Sequence, residues 1–147
     1  LRRLGARVEA FIPNRLEDGY DLGPRGLSIA KEVGASLLIT VDCGIQAHEA
    51  ISRAESSGIS VVVTDHHTPG ADLPAASAVL NPNRLDCPYP NTALCGAGVA
   101  FKLCQGLGSD LGLPQEDLHP FLDLVALGLA GPRPTEGQST APAGGER

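Results

Sequence analysis

The sequence has no tryptophan and no methionine, and its aromatic residues are three Phe and two Tyr. So few rings exclude a surface that holds nucleic acid by stacking base after base on aromatic side chains. A basic surplus is also lacking: 11 Lys and Arg stand against 17 Asp and Glu, for a net charge of −6. That excludes nucleic-acid binding through a broad cationic face, but not through a site where metal ions supply the positive charge. No apolar run nears the roughly 20 residues that cross a bilayer, so no membrane association is expected. The basic start LRRLGARVEA is not followed by the apolar stretch of a signal peptide. The cysteines Cys43, Cys87, Cys95 and Cys104 form no C-x-x-C pair. Reduced thiols in a cytoplasmic protein are expected ahead of disulfides or structural zinc. A chain that starts at Leu1 and contains no methionine leads to the expectation of a piece of something longer.

What is present is a globular composition, 42% hydrophobic and 19% charged, in 147 residues that suffice for one modest core. Residues 7–12 (RVEAFI) alternate and hold β-formers before Pro13, which predicts a short strand. Residues 24–34 carry Leu27, Ile29, Ala30 and Val33 at helical spacing, with Gly34 as the stop. Residues 36–41 (SLLITV) and 59–64 (ISVVVT) are short apolar runs that suit strands buried on both faces. Between them, residues 46–57 place Ala47, Ala50, Ile51 and Ala54 on one helical stripe, with Gly58 at its end. Residues 78–80 predict a third strand, residues 84–91 are turn-rich, and residues 98–107 and 118–127 predict helices. The alternation gives an α/β fold, a parallel sheet flanked by helices, over residues 1–130. Residues 131–147, with seven Gly or Pro, are expected to be a disordered tail.

Two acidic positions follow two of these strands: Asp42 after SLLITV, and Asp65-His66-His67 after ISVVVT. In open parallel sheets ligands bind outside the carboxyl ends of the strands. If the two strands are neighbours they lie about 4.8 Å apart, and Asp42 can meet the Asp-His-His cluster at one metal centre. Carboxylate and imidazole without thiolate suit Mn²⁺, Mg²⁺, Fe²⁺ or Zn²⁺. Two ions about 3.5–4 Å apart can activate water and stabilise the leaving oxygen of a phosphate ester. Taken singly, an Asp after a strand is more often a turn residue or helix cap, and paired histidines are often surface groups. The combination is more specific. Cys43 is a nucleophile in principle, but without a partner at useful spacing it reads as a small packing residue. His48 and His119 read as surface or structural groups. Arg15, after the first strand, is evenly a phosphate ligand or a solvated loop residue.

At these residues the sequence resembles the DHH phosphoesterase superfamily, through VTDHHTPG at residues 63–70. FIPNRLEDGYDL, TVDCG, LPAASAVLNPN, CPYP and LCGAGVAFKL follow the order found in its RecJ-like exonuclease branch, and the likeness covers residues 1–128. The resemblance implies an α/β core with two Mn²⁺ or Mg²⁺ ions. It also implies 5′-to-3′ hydrolysis of single-stranded DNA, in DNA repair and recombination, by a monomer. It makes Asp42 a ligand bridging the metals and His66 a ligand of one of them. His67 contacts the scissile phosphate or assists the metals, and Asp65 orients the histidines. Arg15 and a Gly96-Ala97-Gly98 turn would lie along the nucleic-acid path.

The family's Asp-x-Asp-Gly ligands have no match before Arg7, and Pro132 stands about where a later Asp belongs. The family's downstream DNA-holding domain is not expected within these residues either. The chain alone is therefore expected to be inactive or nearly so. The alternatives are a DHH phosphoesterase acting on short oligonucleotides or cyclic dinucleotides, and a non-catalytic scaffold of the same fold.

Overall fold

A computed structural model describes residues 1–14, 16–18 and 21–131. Three strands, β1 (Leu37–Val41), β2 (Ser60–Thr64) and β3 (Ala78–Leu80), form a parallel sheet in the order β1-β2-β3. Four helices accompany it: α1 (Pro24–Glu32), α2 (His48–Ser56), α3 (Gly96–Asp110) and α4 (Leu122–Ala130). Val41 pairs with Thr64, and Thr64 with Leu80, so the three carboxyl ends finish level. The α/β expectation holds, as does the adjacency of the first two strands.

The same device ends each helix that feeds a strand. Gly34 (φ 64°) and Gly58 (φ 78°) take the left-handed conformation that glycine adopts without steric cost. The following N–H groups, of Ala35 and Ile59, then reach back to Ala30 and Ala54. Pro24 opens α1, where its missing N–H costs nothing. Leu27 and Ala30 of α1 and Ile51 and Ala54 of α2 bury against Ile59, Val61 and Val63, which form the main core. The helix α3 packs on β1 and β2 and brings Val99 into the interior. No helix among the described residues is long and apolar enough to cross a membrane.

Four expectations need correction. Residues 7–12 form no strand. β-Formers make a strand only where a neighbour completes the ladder; here residues 9–12 are exposed, and the stretch is held by side-chain bonds such as Arg7 to the Val33 carbonyl. The strand β1 is not buried on both faces: Leu37 and Val41, which share one face of the strand, are exposed, so among the described residues that face is not fully covered. Gly96-Ala97-Gly98 is no separate turn but the first turn of α3, which starts two residues earlier than expected. The single helix over residues 118–127 is two pieces, a 3-10 segment at Gln115–Phe121 and then α4. Pro120 has no N–H to give an α-helical ladder. The expected tail, beyond its first residue, lies outside the described residues.

Glu55, at the end of α2, ties that helix to the sheet. Its Oε1 accepts from the Val61 N–H (2.9 Å) and from the N–H and hydroxyl of Ser77 (both 2.8 Å). The Val61 N–H and then the Ser77 hydroxyl hold this carboxyl below its ordinary value of 4.5. A group depressed in the folded state stabilises above its unfolded pKa and ceases to as pH falls through its folded one. Glu55→Gln, which keeps the acceptor and removes the charge, should lower the melting temperature at pH 7. The gap from wild type should close as pH falls below 4.5. Equal melting temperatures at pH 7 would show the charge to be idle.

Candidate metal centre

The level strand ends set the site. The ladder continues one residue past β1 and past β2: the Asp42 N–H donates to the Thr64 carbonyl (2.9 Å) and the Asp65 N–H to the Leu80 carbonyl (3.0 Å). Beneath this rim two buried threonines hold the β1 exit. The Thr64 hydroxyl donates to the Thr40 carbonyl (2.6 Å), and the Thr40 hydroxyl to the Cys43 carbonyl (2.8 Å). The chain must turn sharply above them. Asp42 adopts φ 63° and Gly44 φ 107°. A left-handed conformation costs an ordinary residue about 1 kcal/mol or more, Asp less than most. Gly44 has no alternative, since a Cβ there would lie 2.6 Å from the Thr40 hydroxyl oxygen.

The turn presents the Asp42 side chain to solvent, 57% exposed, with its Oδ1 3.0 Å from His66 Nε2. The rings of His66 and His67 sit 4.6 Å apart, tilted by 48°. One ligand atom from each of Asp42, His66 and His67 falls within 4.8 Å of the others. A shared ion with bonds of about 2.0–2.2 Å draws donors from separations of this order. The donor set, one carboxylate and two imidazoles, fits a divalent ion of borderline character.

Asp65 is not in that triangle but under it, with 1% of its side chain exposed. Its Oδ2 accepts from the Ile45 N–H (3.0 Å). Its Oδ1 accepts from the N–H groups of His66 (2.7 Å) and His67 (3.2 Å) and pairs with His67 Nδ1 at 2.7 Å. Burial pushes this carboxyl up. The bonds from Ile45, from the His67 ring and from the two histidine N–H groups outweigh it and leave the group below its ordinary value. With Nδ1 committed to Asp65, His67 keeps Nε2 free as a ligand or acceptor.

Sequence reasoning missed the rest of the support. Asn81 and Asn83, just past β3, donate side-chain amides to the His67 and His66 carbonyls. Asn81 is buried, and its Oδ1 accepts from the Asn83 N–H (2.8 Å). The signal was available: LNPN stands at a third strand end, where polar residues deserve the same scrutiny as Asp42 and Asp65. Cys43 is half-buried, and burial, then Asp21 and Asp65, push its thiol up to about 11. A neutral thiol at pH 7 fits the packing role. His48 and His119 are exposed and stand apart from the cluster. Gly96 lies against Asp42, and Gly98 against Leu94. Arg15 lies outside the described residues.

Asp65→Ala would strand the Ile45 N–H in a residue that is 1% exposed. The expected loss is about 2–3 kcal/mol of unfolding free energy in urea at pH 7. The sign with pH is that of a depressed carboxyl: the contribution is whole above 3.8 and falls away as pH drops below it. A variant as stable as wild type at pH 7 would remove Asp65 as the anchor.

The single-stranded-DNA-specific exonuclease RecJ of Dickeya dadantii is 49% identical over 87% of the chain, and that of Escherichia coli 45% over the same share. The chain spans 24% of the length of each. A crystal structure of exonuclease RecJ bound to manganese superposes with a TM-score of 0.75 at 40% identity, over 86% of this chain and 31% of that one. RecJ in complex with Mn²⁺ from Thermus thermophilus gives a TM-score of 0.64 at 37% identity, over 86% and 17%. Residues 1–129 match the N-terminal domain of the DHH family. On its sequence and its fold alike, the chain belongs to the DHH family.

Proposed function

We propose that this chain supplies the metal-binding core of a divalent-metal-dependent exonuclease that hydrolyses single-stranded DNA in the cytoplasm. The observation that carries the reading is the convergence of Asp42, His66 and His67 donor atoms within 4.8 Å at the ends of neighbouring parallel strands. Likeness to manganese-bound RecJ structures supports it. Mn²⁺ or Mg²⁺ ions, when bound, would polarise a phosphodiester and ease deprotonation of water.

The chain's own residues divide the work. Asp42 carries the carboxylate best placed to bridge two ions, because it has two oxygens and stands exposed at the rim. His66 presents Nε2 beside it. His67, its other nitrogen held by Asp65, would offer Nε2 as a ligand to an ion or, with the ring protonated, as a donor to a phosphate oxygen. Asp65 fixes the tautomer and the loop. Asn81 and Asn83 keep both histidine carbonyls in place. Three donor atoms fill about half of one octahedral shell. We therefore read the chain alone as able to hold an ion weakly and unable to hold two. Its 5′-to-3′ polarity and its use of Arg15, Gly96 and Gly98 along the strand belong to this same reading.

Two measurements test it. Mn²⁺ should raise the melting temperature of the 147-residue protein, by an amount near 2.7 kcal/mol in stability when free metal exceeds Kd about 100-fold. His66→Ala or Asp42→Asn should abolish the rise, and no rise in wild type would sink the metal site. Grafted in place of the matching segment of the Escherichia coli relative, the chain should give a chimera that degrades long single strands with Mn²⁺. Asp65→Asn should slow that chimera by about 10- to 100-fold, and Asp42→Asn by more. Turnover of dinucleotides but not long strands would favour the short-oligonucleotide reading.

A further inference from the structure

We infer that Gly96 is a positioning residue for Asp42, leaving empty the one volume that lets the carboxylate stand opposite His66. This rests on the reading of Asp42 as a metal ligand. Gly96 is the first residue of α3 and is buried. A Cβ built on it would overlap Oδ1, Cγ and Cβ of Asp42. Overlap with the outer atoms alone could be relieved by rotating the Asp42 side chain. Overlap with its Cβ cannot, because that atom moves only with the backbone.

The Asp42 backbone has little room to retreat. Its N–H is bonded to the Thr64 carbonyl, its φ is 63°, and Gly44 beyond it already lies tight against Thr40. The turn is boxed between β1 and the start of α3. A side chain at position 96 must push α3 away from the sheet or push Asp42 off its place 3.0 Å from His66 Nε2. The other glycines of α3 face different surroundings. A Cβ at Gly98 would meet Leu94 at 3.1 Å and one at Gly108 the Gln115 side-chain nitrogen at 3.2 Å, both local packing, while one at Gly106 would meet nothing within 4 Å. Glycine is a poor choice for a helix on propensity alone, so only Gly106 should be replaceable without consequence for its neighbours.

The test is a double-mutant cycle with a metal readout. Gly96→Ala should lower the melting temperature of the chain and remove at least nine-tenths of its Mn²⁺-linked rise, while Gly106→Ala should leave both intact. Asp42→Gly removes the obstructing side chain, so adding Gly96→Ala to that variant should cost no further stability. This rescue also covers the case in which Gly96→Ala alone does not fold. An equal loss in both backgrounds would place the effect of position 96 elsewhere and overturn the inference, as would a Gly96→Ala protein with its full Mn²⁺ response. A wild type without any Mn²⁺ response would refute the metal reading separately, and the cycle would still decide whether Gly96 holds Asp42 in place.

Discussion

A carboxylate shut away from water stays charged only if donors replace the water it has lost. Asp65 meets that condition with four bonds, three from the two residues that follow it and one from Ile45, 20 residues earlier. Ile45 belongs to the segment leading into α2, while His66 and His67 belong to the loop after β2. One buried charge therefore joins the exits of two strands and sets a histidine ring. The geometry of the metal centre follows from this, since the Ile45 bond holds down the turn that carries Asp42. Removing the charge would leave buried donors unpaired as well as a ring unoriented, so the same group serves folding and site construction.

The sheet supplies the second constraint. Parallel strands with level ends deliver successive residues to one rim, and here the rim holds Asp42, Asp65 and Asn81 in strand order. The Thr64 hydroxyl donates to the Thr40 carbonyl and the Thr40 hydroxyl to the Cys43 carbonyl, which ties the sharp β1 exit to the sheet beneath it. The positive φ of Asp42 is the kind of local strain that persists where its surroundings over-determine it. The Thr40 and Thr64 bonds below it and α3 against it supply that over-determination.

The parts legible in the sequence were those governed by local rules. Apolar runs of strand length between helical stripes gave the parallel sheet, and Gly34 and Gly58 marked real helix ends. Asp42 and the Asp-His-His triplet were singled out by their place after apolar runs of strand length, and the adjacency of β1 and β2 brings Asp42 to 3.0 Å from His66. What was missed depends on contacts distant in sequence. Residues 7–12 carry a strand pattern but no neighbour to pair with. Leu37 and Val41 are apolar yet exposed, because burial depends on what lies alongside. Asn81 and Asn83 act on carbonyls of His67 and His66, and Gly96 acts by lacking an atom. Neither kind of role leaves a periodicity to read.

On the function proposed above, an acidic chain has to meet a polyanionic substrate. With a net charge of −6 the surface as a whole gives DNA no long-range attraction. The centre needs local positive charge, and its design permits this. The Asp65 charge is taken up by four donors, and Asp42 is the one carboxylate in the exposed triangle. The histidines bring nitrogen ligands without adding negative charge when neutral. A divalent ion held there exceeds the charge of its single carboxylate ligand, so the rim becomes cationic where a phosphate would approach. On that reading, attraction for nucleic acid would be confined to the place where hydrolysis would occur, and would depend on bound metal rather than on the lysines and arginines that the sequence has in short supply.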